Sequence, residues 1–425
     1  MIPRSVNKVV KDPKHFVSVH EAFEYCKVLY EKQIALLEDA VRQGKSLVVF
    51  YPYIAIEVVD QGATSYYGNT ITKPDLLKAI YLTQISKILS NSSGVKIWVG
   101  ESFYPISLAL VCEDLITEEN MCNVMPCIER IRTGMDKIEK GTHIKRIGFF
   151  HAERVDYCLN RLHHYCGTSN KYFQSNVIFT NYKMYIDFFI EDGKKLVDQG
   201  VFSSLIGPDI EYSKDVNIQK KHNLPQMPAY HLVKQNGKGI TIINVGVGPS
   251  NSKTITDHLS VLSCDSWLML GHCAGLDPLQ RLGDYVLAQN YSRYDNVLDK
   301  YISNKIPIPS CARIINSLKL NAEKNKVNGE KLHTGTIITT ADRNWELDCD
   351  MVGEFVSSKA IAIDMESATI SANAFRFSIP SASFLCISDM PLHGLIKLRG
   401  MAKKFYQTKV RHHFNIGLSA IQDLL

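Results

Sequence analysis

Two short apolar runs that stop abruptly in acid constrain the fold of this chain more than any other feature. Ala360–Ser367 reads AIAIDMES, and Ser383–Asp389 reads SFLCISD. Each has the length and composition of a buried strand, and each delivers carboxylates just past its end: Asp364 and Glu366 flanking Met365, then Asp389 after Ser388. Open α/β sheets keep their ligand sites outside the C-terminal ends of their strands. A helix-length segment separates the two runs, so the pattern predicts one site shared by neighbouring strands. The same alternation of apolar run and helical segment begins at Asn176. Candidate strands are Asn176–Thr180, Gly239–Val245, Ser266–Leu270, Tyr285–Gln289, Thr334–Thr340, Ala360–Ile363 and Ser383–Ile387. Candidate helices are Ser252–Leu262, Glu366–Phe375 and Met401–Leu425. The expected architecture is α/β, a mixed sheet flanked by helices.

The first part of the chain has a different texture. Ser18 and Glu21 form a capping-box pair ahead of a helical pattern that runs to Gly44. A strand-like segment follows at Leu47–Val59, then a helix start at Thr72–Asp75 with Pro74 in its first turn. Val95–Val99 and Pro105–Cys112 read as further strands, and a helix opens near Glu153. Gly167–Asn170 reads as its stop and as a connection between domains. We therefore expect a smaller α+β domain over residues 1–168 and a larger α/β domain over 169–425. Residues 207–226 are polar and read as a flexible insertion.

At 425 residues, two or three domains are expected. The 48 basic and 43 acidic residues leave a charge of only +5, dispersed along the chain, which argues against a nucleic-acid partner. No apolar run approaches a membrane span, and the N-terminus lacks a signal-peptide core. Eleven cysteines at irregular spacing, with no CxxC and no zinc-like Cys/His pattern, suit reduced thiols and a cytoplasmic location, and no metal site is expected.

Three further strand ends could face a ligand. NVGVGPSNSKT at Asn244–Thr254 joins a strand to a helix; its glycines, Gly248 among them, let backbone approach a ligand closely, though a tight turn explains them equally. It is neither a Walker A loop nor a full GxGxxG. LGHCAGL at Leu270–Leu276 ends another strand, with Gly271 offering backbone and His272 a polar wall; a thiol-nucleophile reading of Cys273 lacks a third orienting group. TTADRNWE at Thr339–Glu346 places Arg343, Asn344 and Trp345 together: a cation for phosphate, an amide, and a stacking face for a flat base. Surface pairing or core packing is the plain alternative for each.

In this order, GVGPS, GHCAGL, DMES and SD resemble the signature segments of the nucleoside phosphorylase and nucleosidase superfamily. The longer strings FTNYKMY, GDYVLAQNYSRYDNVLD, AIDMESATI and SDMPLHGLIKLRG, with YPYIAIEV and ESFYPISLAL nearer the N-terminus, are similar to the AMP nucleosidase family in particular. The resemblance implies a nucleoside phosphorylase-like catalytic domain and a regulatory N-terminal domain. It implies hydrolysis of AMP to adenine and ribose 5-phosphate, with no cofactor needed for the chemistry, Mg-ATP as an allosteric activator, phosphate as an inhibitor, and a homohexamer. On that basis Asp389 is expected to protonate adenine N7 and Glu366 to hold the ribose hydroxyls. Met365 should pack on the sugar, and Trp345 and Asn344 should meet the base. Arg293, Lys397 and Arg399 are the first candidates for the 5′-phosphate, with Arg343, His272 and His393 behind them. Three departures stand out. Asp364 stands where the family's segment begins with a glutamate, and this shorter side chain is counted with Ser388, Gly248 and Gly271 among the substrate contacts. Trp267–Leu270 is apolar where phosphorylases carry an arginine for inorganic phosphate, which favours water as nucleophile. Asn181, Tyr182 and Tyr185 stand near the first strand's end, where related nucleosidases carry a glutamate. A nucleoside phosphorylase and a silent nucleotide-sensing protein are the competing readings.

Overall fold

The computed structural model describes residues 2–90, 92–111, 115, 142–148, 150–220, 223–324, 329–398 and 409–425. The chain divides into two compact units, Met1–Arg161 and Leu162–Leu425.

The first unit is built on a five-stranded sheet. Its elements are β1 (Val10–Phe16), α1 (Val19–Arg42), β2 (Phe50–Asp60), β3 (Ala63–Thr70), α2 (Pro74–Leu89), β4 (Gly94–Pro105), β5 (Lys145–Arg146) and, as far as Arg161, α3 (Ala152–Cys166). The strand order is β1-β4-β2-β3-β5. Ser18 caps α1 as expected, its hydroxyl accepting from the Glu21 amide, and Pro74 occupies the first turn of α2. Tyr51, Tyr30, Leu37 and Ile106 make one of its cores. The expectation of a strand over Pro105–Cys112 is corrected. Proline cannot donate to a ladder, so β4 stops at Pro105 and the chain turns into a short helix, Leu108–Val111. Cys112 lies outside the described residues.

The second unit carries a 12-stranded mixed sheet. In chain order it contains β6 (Asn176–Thr180), α4 (Lys183–Asp198), β7 (Ser204–Ile206), β8 (Ile210–Tyr212), β9 (Asn217–Gln219), β10 (Ala229–Val233), β11 (Ile240–Asn244), α5 (Pro249–Leu259) and β12 (Ser266–Gly275). Then come β13 (Tyr285–Tyr294), β14 (Ile308–Pro309), α6 (Ala312–Lys324), β15 (Leu332–Thr340), α7 (Cys349–Ser357), β16 (Ala362–Asp364), α8 (Ser367–Arg376), β17 (Ser381–Asp389) and α9 (Val410–Gln422). The fold is α/β, a mixed sheet flanked by helices. Residues 207–226 are not simply an insertion: β8 and β9 pair antiparallel there and extend the sheet. Of the expected helix 401–425, only the part from 409 onward lies within the described residues.

One topological feature was not foreseen. β12 pairs with β17, β17 with β13, β13 with β15, β15 with β16, and β16 returns to β12, closing a five-strand circuit. A bulge between Cys273 and Ala274 lets β12 serve both β17 and β16. Outside, Leu268, Leu270 and Phe384 pack with Phe189, Phe414 and Ile421 of α4 and α9. α8 packs against β12, β13, β15 and β17. Its residues Ser367–Ala374 are all buried, and the run Ser-Ala-Thr-Ile-Ser-Ala-Asn-Ala is small enough for so close an approach.

Candidate active site

The ladder sets the level of each functional residue before any side chain is considered. Ala274 of β12 pairs with Asp389 on one side and Ile363 on the other, so the acid ends of β16 and β17 flank the same point of one strand. Across the circuit Arg293, Thr339 and Asp364 lie in register on β13, β15 and β16.

Glu366 occupies the N-cap position of α8, yet its side chain makes no capping bond. Capping passes to two neighbours. The Asp364 carboxylate accepts from the Ser367 amide at 3.0 Å, and the Thr339 hydroxyl accepts from the Ala368 amide at 2.8 Å while donating to Asp364. Helix N–H groups left over at the N-terminus are thereby satisfied, and the Glu366 carboxylate is released to turn elsewhere. Its Oε1 accepts from the Gly248 amide at 2.6 Å and its Oε2 from Asn181 Nδ2 at 3.2 Å. Gly248 sits at φ 105°, a backbone state that favours glycine and that aims its N–H at Glu366. Burial, and after it the neighbouring Asp364, push the Glu366 carboxyl above the usual range, while its two N–H donors favour the charged form. Asp364 is raised by burial as well.

Asp389 ends β17, partly buried. Burial raises its carboxyl, opposed by the Ser388 hydroxyl that donates to it and by Lys397. Lys397 reaches the same Ser388 oxygen at 3.2 Å, so cation, hydroxyl and carboxylate form a chain. A carboxyl in this setting keeps a proton to higher pH than an exposed aspartate.

The remaining sequence expectations divide. Met365 is half-buried between the two acids, and Ser388 is buried. Asp364 is spent on Thr339 and Ser367, which corrects its reading as a direct ligand contact. Trp345 is corrected too: it is buried with Ala274, Ile338, Phe355 and Ile363 in a core cluster, and presents no open face for a base. Arg343 and Asn344 are exposed on the loop before it. Arg293 is buried and committed, donating to Asp299 at 2.7 Å and to the Ile302 carbonyl at 2.9 Å, with Asp295 beside it. Its reading as a phosphate ligand is therefore revised: these partners hold its guanidinium. His272 lies on the helix-covered face of β12, its ring tilted against that of Tyr182 with centroids 4.1 Å apart, and 3.0 Å from the Tyr185 hydroxyl; burial lowers its pKa. Gly271 faces Asn181 and leaves no room for a side chain unless Met269 shifts: a Cβ there would come 3.4 Å from Asn181 Oδ1 and 2.9 Å from Met269 Cε. Arg399 lies outside the described residues.

Sequence reasoning stopped short of Asn181. Its position one residue beyond β6 was the available signal, but only the fold brings it to Glu366, 185 residues away. Among the described residues, no group of three or more His, Cys, Asp or Glu side chains could hold a metal ion, and no helix is long and apolar enough to cross a membrane.

Residues 208–421 match the Phosphorylase superfamily model. AMP nucleosidase of Escherichia coli (strain K12) is 40% identical over 394 residues, covering 84% of this chain and 79% of that protein. A DeoD-type purine nucleoside phosphorylase of Thermoanaerobacter sp. (strain X514) is 25% identical over 159 residues, 37% of this chain and 67% of that one. Among solved structures, an AMP nucleosidase from Bacteroides thetaiotaomicron aligns with TM-score 0.48 and 24% identity, covering 64% of this chain and 97% of that chain. By the extent and identity of the match to the E. coli protein, this chain belongs to the AMP nucleosidase family of the phosphorylase superfamily.

Proposed function

We infer that this protein hydrolyses the N-glycosidic bond of AMP, giving adenine and ribose 5-phosphate. Family membership supports the reaction. The observation that carries it in this chain is the placement of two buried-end acids on either side of β12, one with both oxygens fixed by N–H donors and one held towards its protonated form.

Breaking C1′–N9 builds positive charge on the sugar and negative charge on the purine. Asp389 donates its proton to N7 and makes adenine a neutral leaving group. Glu366, pre-aimed by Gly248 and Asn181, takes hydrogen bonds from ribose hydroxyls and steadies the oxocarbenium-like state without reorganising as charge develops. Met365 lies against the sugar. Lys397 and Arg343 are the described cations proposed for the 5′-phosphate, each contact contributing about 1.5–3 kcal/mol. Trp267–Leu270 is wholly buried and apolar, which supports water over inorganic phosphate as the nucleophile.

The resemblance also supports a regulatory role for the first unit, with Mg-ATP as activator, a homohexamer and a cytoplasmic location, without a nucleic-acid or membrane partner. The test is incubation with AMP, with and without Mg-ATP, followed by product analysis. Adenine with ribose 5-phosphate is expected. Intact AMP, with ribose 1-phosphate formed from adenosine and phosphate, would overturn the reading in favour of a phosphorylase. AMP bound but unreacted would mark a sensor.

A further inference from the structure

The hydrolytic reading leaves one reactant without a seat. Water must meet C1′ on the face away from adenine, about 3–3.5 Å from the carbon and aligned with the breaking bond. Asn181 is the group whose surroundings suit that task. Its amide is fixed in orientation because Nδ2 donates to Glu366 Oε2 at 3.2 Å. The same bond leaves Oδ1 buried, with no hydrogen-bond partner among the described residues. A buried acceptor without a donor is costly, and each such group calls for an explanation. Oδ1 faces Gly271, whose missing side chain lets the two approach: a Cβ there would come 3.4 Å from Oδ1 and 2.9 Å from Met269 Cε.

The spacing along β12 also fits. Gly271, beside Asn181, and Ala274, paired with Asp389, are three residues apart, or roughly 10 Å at strand rise. That span accommodates a carboxyl on N7, the glycosidic bond and a water beyond C1′. We propose that Asn181 Oδ1 accepts a hydrogen bond from the attacking water and seats it beside Glu366. The proposal rests on the hydrolytic reading above.

An amide cannot take up the proton, so the step needs a second group. The water oxygen forms a bond to C1′, the C1′–N9 pair leaves with adenine, Asp389 protonates N7, and the water proton passes to Glu366 Oε2. Burial and the adjacent Asp364 raise the proton affinity of that carboxylate. Solvent exchange then returns a proton to Asp389 and removes one from Glu366. Where related nucleosidases present a glutamate at this strand end, this chain divides the work: an amide orients the water and a carboxylate elsewhere accepts its proton.

The experiment is Asn181→Ala assayed with AMP in water and in a water–methanol mixture. The expected result is a fall in kcat on the order of 10²-fold, KM within about threefold, and a higher ratio of methyl riboside 5-phosphate to ribose 5-phosphate than the unaltered enzyme gives. Loss of Glu366 support alone would slow attack by both nucleophiles and leave that ratio unchanged. An unchanged ratio or an unchanged kcat overturns the proposal. Should Asn181→Ala not fold, Asn181→Asp carries the test. It keeps the acceptor oxygen but sets a second carboxylate against Glu366, so the low-pH limb of kcat/KM should move to higher pH while the product ratio stays native. A raised ratio in that variant refutes the assignment. If the unaltered enzyme releases no adenine from AMP, the hydrolytic reading itself has failed, which is a separate outcome.

Discussion

Asp389 and Lys397 make a sensitive pair because one hydroxyl links them. Removing the acid in Asp389→Asn should lower kcat by about 10²–10⁴ with little change in KM; native turnover would remove Asp389 from the acid role. Lys397 favours the ionised carboxylate, so Lys397→Met should raise the Asp389 pKa further. The carboxyl then stays protonated to higher pH, and the high-pH limb of kcat should move upward; a limb that moves down would break the Lys397–Ser388–Asp389 chain. Arg293 shows how far residue type alone can be trusted. A cation at a strand end in a phosphate-binding context reads as a phosphate ligand, yet Asp299 and the Ile302 carbonyl lie closer to it along the chain and capture the fork. Cutting a buried ion pair strands its partners, so Arg293→Met should cost roughly 3–5 kcal/mol in denaturant unfolding. Raised KM for AMP with native stability would restore the phosphate role.

α8 depends on a division of labour. Its N-cap residue does not cap; Asp364 and Thr339 do so from β16 and β15, and the consequence is a Glu366 carboxylate that faces the site. Thr339→Val removes both the acceptor for the Ala368 amide and the donor to Asp364, and should cost about 1–2 kcal/mol of stability. Thr339→Ser should recover most of it, measured by urea unfolding; equal losses in both variants would mean that the methyl, and not the hydroxyl, is what matters. This element was half legible beforehand. Its position after an apolar run marked a strand-to-helix junction, and its acids marked a ligand end. Which acid caps and which faces substrate could not be read from spacing two residues apart, since that depends on Thr339 arriving from a strand 25 residues earlier. Trp345 failed for a related reason: an aromatic beside a strand end suits a base or a core equally, and α7 supplies Phe355 to bury it.

Across the molecule, the two units carry separate electrostatic liabilities. In the first, Asp156 on α3 is wholly buried, accepting from Tyr51 and Thr72 hydroxyls at 2.7 Å each, and burial lifts its pKa to about 6. A raised carboxyl binds its proton more tightly in the folded state, so stability declines as pH rises from about 4 to about 6 and then levels off, by about 1–3 kcal/mol in all. Hydrogen exchange in β2 across that range should show the decline, and Asp156→Asn should abolish it; a slope of opposite sign would mean that the two hydroxyls outweigh burial. The sequence by itself determined the local grammar of the chain: apolar runs of strand length, helix-length spacers, the Ser18 cap, the Pro74 start, and acids at the ends of β16 and β17. These follow from side-chain periodicity and turn chemistry, which act over a few residues. Only the tertiary structure decided the closed circuit of strands, the meeting of Asn181 with Glu366, and the partners that occupy Arg293 and Trp345. Those outcomes depend on ladder register and on competition for partners between segments far apart in the chain, and neither is written in any one stretch of it.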